Sequence, residues 1–130
     1  MTLVLDSTLL IDLEKEKKDT QQRIRELRYT FSGYPTITFI TYYEFLFGIR
    51  NRNQRNKEKA LQFIKTFDVL TMTKETAKIL CDLRDNQDKR GKPLPLADLL
   101  IAAQIIECNS TLVTQDNDFK NIENLKTIFV

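Results

Sequence analysis

Short apolar and β-branched runs alternate along this chain with longer segments whose apolar residues recur every three or four positions. The short runs are Leu3–Leu5, Thr36–Ile40, Val69–Met72, Thr111–Thr114 and Thr127–Val130. Short continuous apolar runs are typical of strands buried on both faces, and the longer spacing is typical of amphipathic helices. The alternation predicts an α/β fold: a three-layer α/β/α sandwich with a central, mostly parallel sheet of four to five strands.

The predicted helices fill the intervals between these strands. They begin at Ser7 or Thr8 and at Thr41, cover Thr20–Phe31 and Lys57–Thr66, run from Lys74 to about Asp88, and end with Pro95–Ile106.

The last of these helices differs from the others because it is apolar on nearly every side. Such a helix is expected to be buried. Asp98 lies in its first turn and is the only charged residue before Glu107. A carboxylate among hydrocarbon is costly unless a positive charge meets it. The helix N-terminus supplies part of that charge, and a bound metal ion would supply far more.

Other acids are predicted to lie at the same edge of the sheet as Asp98. Asp6 follows the first strand, Glu44 lies in the first predicted turn of the helix after the second, and Asp116 and Asp118 follow the fourth. Open parallel sheets bind ligands beyond the carboxyl ends of their strands. Clustered carboxylates repel one another unless divalent cations neutralise them, and an oxygen-only set favours Mg²⁺ or Mn²⁺. The pattern therefore predicts metal-dependent hydrolysis of phosphodiesters.

Each acid also has a simpler structural explanation. Asp6 could only cap a helix, Glu44 could complete a capping box with Thr41, and Asp98 could only complement the helix dipole. The two acids after the fourth strand could be turn formers. None of these explanations accounts for all the acids meeting at one edge.

Composition narrows the classes of protein further. The chain has 130 residues, 42% of them hydrophobic and 29% charged, which fits one domain over residues 1–130. It has no histidine, which excludes Ser-His-Asp and Cys-His catalysis and histidine-ligated metals. Cys81 and Cys108 lie in helical patterns and are predicted to be buried thiols. No signal peptide or membrane span is predicted, so we expect a cytoplasmic protein.

The formal net charge of +2 does not indicate a nucleic-acid binder, so any basic site must be local. One basic run lies between residues 50 and 59, and a smaller group lies between residues 89 and 92. Both could be solvated surface, or they could bind a phosphate backbone. The candidate nucleic-acid contacts are Arg50, Arg52, Arg55 and Lys92. Nearby Tyr42, Tyr43 and Phe47 could stack on bases, although core packing or a dimer surface is the simpler use.

Four stretches resemble a known family. They are LVLDSTLLIDL, ITFITYYEFLFGI, GKPLPLADLLIAA and TLVTQDNDF, and they span nearly the whole chain in the family's order. With these stretches the chain resembles the PIN-domain ribonucleases, and specifically the VapC toxins of toxin–antitoxin pairs.

The resemblance implies a set of site residues. Asp6, Glu44 and Asp98 would be metal-binding carboxylates, with Asp116 as the fourth acid and Asp118 as the second candidate for that position. Ser7 and Thr114 match supporting hydroxyls of the family. Thr8 stands where the family often has asparagine.

The resemblance also implies an activity and partners. We expect a type II toxin that cleaves RNA endonucleolytically with Mg²⁺ or Mn²⁺. We also expect a homodimer and a cognate VapB-like antitoxin that lays a C-terminal segment across the active-site groove.

Three alternatives remain. A catalytically weak PIN domain would act as an RNA-binding or scaffold module. A phosphate-accepting receiver domain would need paired acids after the first strand and a lysine after a late strand, whereas here Ser7 and Thr8 follow Asp6. A flap-type DNA nuclease would need a longer chain.

Overall fold

The computed structural model describes residues 2–31 and 33–130. The strands are β1 (Leu3–Leu5), β2 (Ile37–Thr38), β3 (Val69–Leu70), β4 (Thr111–Thr114) and β5 (Thr127–Phe129). The helices are α1 (Ser7–Glu14), α2 (Lys18–Thr30), α3 (Phe39–Ile49), α4 (Gln54–Ile64), α5 (Lys74–Lys89) and α6 (Leu96–Glu107). A 3₁₀ turn covers Asn117–Asn121.

All paired strands run parallel, as the alternation of strands and helices predicted. β1, β4 and β5 form a three-stranded sheet in the order β1-β4-β5, and β2 pairs with β3. A bridge between Val4 and Thr36 joins the two sheets, where the Leu5 N–H donates to the Thr36 carbonyl at 3.0 Å. The largest continuous sheet thus has three strands, fewer than the four to five expected. β2 is short because Thr38 already caps the following helix.

The sheet separates two apolar clusters, which makes the molecule three-layered. Leu5 of β1 and Val113 of β4 face the cluster formed with α1 to α4, whereas Val4 and Leu112 face the cluster formed with α5 and α6. Successive strand residues point to opposite faces, so each strand serves both clusters. The predicted α/β/α sandwich is confirmed.

α6 is buried, as its apolar composition predicted. Gln104, which is fully buried on this helix, uses both ends of its carboxamide. Its Nε2 donates to the Leu70 carbonyl at 2.8 Å, and its Oε1 accepts the Phe39 N–H at 3.1 Å. One side chain thereby joins α6 to the end of β3 and to the start of α3.

The predicted start of α3 at Thr41 was wrong. The helix begins at Phe39 because the hydroxyl of Thr38 accepts the Thr41 N–H at 3.2 Å. Thr41 is therefore not the capping residue, and Glu44 lies in the second turn of the helix. The capping-box explanation of Glu44 is excluded.

The predicted burial of the two cysteines was also wrong. Cys81 and Cys108 are free and exposed. Cys81 lies away from the buried positions Thr76, Leu83 and Gln87 of α5, and Cys108 lies just beyond the last residue of α6.

Over residues 2–31 and 33–130, no helix has both the length and the apolarity needed to cross a membrane.

Replacing Gln104 by methionine tests the link between α6, β3 and α3. Methionine has a similar length but leaves the Leu70 carbonyl and the Phe39 N–H unpaired, so Gln104→Met should lower the free energy of unfolding by about 2–4 kcal/mol. Urea unfolding measures this. Gln62→Met, at an exposed position of α4, is the matched control and should change stability by less than about 0.5 kcal/mol. Equal stabilities of the two variants would contradict the role assigned to Gln104.

Candidate metal centre

Three aspartates form the centre of the acidic cluster. One carboxylate oxygen from each of Asp98, Asp116 and Asp118 lies within 4.8 Å of the others. Asp98 lies in the first turn of α6, as predicted, and is half-buried. Asp116 caps the 3₁₀ turn by accepting the Asp118 N–H at 2.9 Å. The two candidates for the fourth family acid therefore lie together.

Asp6 is joined to this group through Thr114. The carboxylate of Asp6 accepts the Ser7 N–H at 2.8 Å, so it caps α1, and it also accepts the Thr114 hydroxyl at 2.6 Å. The same Thr114 oxygen accepts the Asp116 N–H at 3.0 Å. Because Leu5 pairs with Val113, the residues that follow this pair, Asp6 and Thr114, are neighbours. Fully buried Thr114 therefore connects two acids that are 110 residues apart in the chain.

Glu44 approaches the cluster from α3. Its Oε1 accepts the Ser7 hydroxyl at 2.9 Å, so Ser7 contacts Glu44 with its side chain and Asp6 with its backbone. Glu44 is not one of the three acids that lie within 4.8 Å of one another. Its negative charge nevertheless contributes to the raised pKa of Asp98.

Four of the five predicted acids raise the pKa of the fifth, Asp98. Burial is the largest cause, and together with the negative charges of Asp116, Asp6, Asp118 and Glu44, in that order, it raises the pKa of Asp98 to about 6. Burial removes water from the carboxylate, and like charges disfavour its ionised form. A divalent cation would relieve both effects, and carboxylate oxygens are the ligands that Mg²⁺ and Mn²⁺ prefer. The residues present therefore fit such an ion.

A polar network, which the sequence did not reveal, holds the loop before α6 against the 3₁₀ turn. Fully buried Gln87 donates to the Lys92 carbonyl at 3.0 Å, and Arg90 donates to Gln87 at 3.4 Å and to the Asn121 carbonyl at 3.0 Å. This network links the segment that precedes Asp98 to the turn that Asp116 caps. The feature of the sequence that could have indicated this network is Gln87, a glutamine at a core-facing position of α5.

Of the four basic candidates, Arg52 lies apart from the acids. Arg52 forms an ion pair with Glu14, at the opposite end of α1 from Asp6. An eight-residue helix is about 12 Å long, which separates this pair from the cluster. Arg50 lies 4.5 Å over the ring of Phe47. Arg55, on α4, and Lys92, in the loop before α6, are exposed.

Comparison with protein families and with curated relatives gives a consistent result. The PIN domain model matches residues 3–125. Ribonuclease VapC1 of Rickettsia felis is 29% identical over 136 aligned positions, which cover 100% of this chain and 97% of the relative. Ribonuclease VapC of Rickettsia bellii is 30% identical over 138 positions, with the same coverage.

Solved structures share the fold at lower sequence identity. VapBC2 from Rickettsia felis, crystallised with a DNA fragment from its promoter, superposes with a TM-score of 0.87 at 22% identity, covering 100% of this chain and 99% of the other. VapBC-1 from nontypeable Haemophilus influenzae gives a TM-score of 0.83 at 23% identity, covering 99% and 98%.

The raised pKa of Asp98 predicts how stability depends on pH in EDTA. Because the pKa rises from 3.8 to about 6 in the folded protein, the folded state binds this proton more tightly than the unfolded state. The free energy of unfolding should therefore fall as pH rises from about 4 to 6. Asp98→Asn, which stays neutral, should be the more stable protein above pH 6, by about 1 kcal/mol after allowing for solvent screening.

Thermal unfolding at several pH values measures the difference. The two proteins should have similar stabilities near pH 4, where Asp98 is protonated in the folded chain and partly protonated in the unfolded chain. Parallel stability curves over this range would contradict the electrostatic strain assigned to Asp98. Asp85→Asn, at an exposed acid of α5 that pairs with Lys89, is the control.

Proposed function

Since the chain belongs to the PIN domain family, we propose that it is a VapC-type endoribonuclease, the toxin of a type II toxin–antitoxin pair, and that it depends on Mg²⁺ or Mn²⁺. The observation that carries the proposal is the acidic cluster, in which four carboxylates act on a fifth, Asp98. Such a concentration of negative charge disfavours the ionised form of Asp98, and a bound cation would offset that cost. The ribonuclease names of the two relatives support an RNA substrate.

The residues of the cluster would have different roles in binding the ion. Asp98, Asp116 and Asp118 are close enough to share one cation, and Asp6 is held beside them by Thr114. Glu44 completes the negative surroundings and is oriented by Ser7. When bound, a divalent cation would activate a water molecule for attack on phosphorus and neutralise charge on the leaving oxygen. Asp98 must lose its proton to serve as a ligand, so its deprotonation favours loading of the site.

The substrate is a polyanion, and the acids themselves would repel it. Lys92 lies in the loop that leads to Asp98 and is our proposed phosphate contact nearest to the cluster. Arg50 and Arg55 are proposed to contact more distant phosphates. Arg52 was proposed with them, but its pairing with Glu14 makes a direct RNA contact costly.

Two protein partners belong to the proposal. The similar VapBC structures support a VapB-like antitoxin. A homodimer is proposed as well, and the exposed face of α3 supports it: Phe39, Tyr43 and Phe47 recur every four residues and are each about half exposed. These partners and the RNA substrate imply action in the cytoplasm.

The competing function is a catalytically weak PIN domain that binds RNA or acts as a scaffold. Titration of Mn²⁺ into the EDTA-treated protein separates the two. Cleavage of RNA that appears with Mn²⁺ and disappears with EDTA supports the enzyme, and binding of RNA without cleavage at any Mn²⁺ concentration supports the scaffold.

Removing one carboxylate tests the site directly. Asp6→Asn and Asp98→Asn should each lower RNA cleavage about 100-fold or more at fixed Mn²⁺, since a catalytic cation contributes several kcal/mol to the barrier. Both variants should remain folded by circular dichroism. Asp85→Asn should cleave as the wild type does. Undiminished cleavage by both purified site variants would reject this centre.

The connection through Thr114 can be tested without touching a carboxylate. Thr114→Val keeps the shape of the side chain but removes the hydrogen bonds to Asp6 and Asp116, so the affinity for Mn²⁺ should fall about 10- to 100-fold. Isothermal titration calorimetry measures this. Thr66→Val removes an exposed hydroxyl that donates to the Phe63 carbonyl and is the matched control. Equal Mn²⁺ affinities of the two variants would show that Thr114 does not position the ligands.

A further inference from the structure

A groove lies on the α1 and α2 side of the sheet edge, next to the acidic cluster. We call it the Gln115 groove. Its cavity is about 340 Å³, with the buried side chains Leu9 and Ile24 as its floor and Asp19, Thr20, Arg23 and Gln115 along its rim. It continues into a second depression of about 440 Å³, which shares Asp19, Thr20 and Gln115 and adds Lys17 and Lys18.

Gln115 places this groove beside the candidate metal centre. It stands between Thr114, which donates to Asp6, and Asp116, which is one of the three closest acids. Consecutive residues lie 3.8 Å apart along the backbone, so the groove begins one residue from the cluster. The side chain of Thr114 contacts the acids, whereas Gln115 lines the groove with Leu9 and Ile24. This is the arrangement expected when the side chains of successive residues point to opposite sides.

We propose that the Gln115 groove binds one nucleobase of the RNA, next to the phosphate that is cleaved, and thereby selects the cleavage site. This inference rests on the proposed ribonuclease function. The volume is at the lower end of the range for ligand pockets, which suits a single base rather than a helix or a protein segment.

The chemistry of the lining matches a base better than a phosphate. Leu9 and Ile24 lie beneath the groove, and Phe129 and Val130, which also line it and are more exposed, offer apolar surface for the face of a ring. Gln115 carries both a donor and an acceptor, Asp19 only accepts, and Arg23 only donates, so the rim can distinguish the hydrogen-bonding edges of the bases. Proteins read single-stranded RNA in this way, by hydrogen bonds to exposed base edges.

The charge around the groove favours the same ligand. Lys17 pairs with Asp12 at 3.2 Å, and Lys18 is exposed at the far side of the second depression. A strand with one phosphate at the acids and one base in the groove would bring its next phosphate toward Lys18.

Cleavage of a random-sequence RNA pool, followed by sequencing of the new ends, tests the proposal. The wild type should prefer one base at a single position beside the cut. Gln115→Ala and Arg23→Ala should each reduce that preference about 5- to 100-fold, the discrimination that a good side-chain contact to a base provides, while other positions keep theirs. Gln62→Ala and Arg84→Ala, at exposed positions of α4 and α5, are matched controls and should keep the wild-type profile.

A second variant blocks the groove instead of changing its hydrogen bonds. Thr20→Trp should raise KM for the pool about 10-fold or more through exclusion of the base, with unchanged Mn²⁺ affinity. Thermal unfolding verifies that each variant is folded.

The outcomes separate the two proposals. A wild-type protein that cleaves no RNA in the pool would reject the proposed function and, with it, this inference. A wild type that cleaves, together with Gln115→Ala, Arg23→Ala and Thr20→Trp variants that share its base profile and KM, would reject the groove and leave the ribonuclease intact.

Discussion

Repulsion between like charges at one edge of a sheet is the constraint that the rest of this structure must satisfy. Asp98 experiences four other carboxylates and is partly removed from water, so its pKa rises to about 6. Without restraint by the fold, these carboxylates would move apart. They stay together because each is held by its own backbone element: Asp6 caps α1, Asp98 lies in the first turn of α6, and Asp116 caps the 3₁₀ turn. The fold therefore stores an unfavourable interaction that a cation would release.

The elements that hold the acids are fixed by packing remote from them. α6 is buried along most of its length, and the parallel pairing of Leu5 with Val113 determines where Asp6 and Thr114 meet. Gln104 joins α6 to both β3 and α3, and Gln87 holds the loop before α6 through the Lys92 carbonyl. Buried polar side chains that satisfy backbone groups stabilise one arrangement over its alternatives, because each would otherwise leave an unpaired donor or acceptor. Sites on such rigid elements keep their spacing better than sites on loops.

The sequence predicted the features that depend on neighbouring residues or on the apolar repeat. It did not predict the features that depend on contacts between residues far apart in the chain. The buried character of α6 and the positions of the five acids follow from the apolar pattern and from the rule that parallel strands present their carboxyl ends at one edge. The start of α3 does not, because Thr38 and Thr41 are both good capping residues. Gln104, far away in the chain, accepts the Phe39 N–H, which fits a helix that begins at Phe39. The pairing of Arg52 with Glu14 is likewise non-local, and it weakens a role in RNA binding that charge alone suggested.

The acids carry the same functional group in different surroundings, and this difference explains how one cluster would both bind an ion and keep its shape. Asp6 and Glu44 each accept a hydroxyl hydrogen, from Thr114 and Ser7, which fixes the orientation of each side chain. Asp98 is instead partly buried and repelled by the other acids, so a proton and a cation would compete for its carboxylate. Occupancy of the centre should then follow the protonation of Asp98, while Asp6 and Glu44 keep their geometry. A cluster in which every acid was equally strained would lose its shape whenever the ion left.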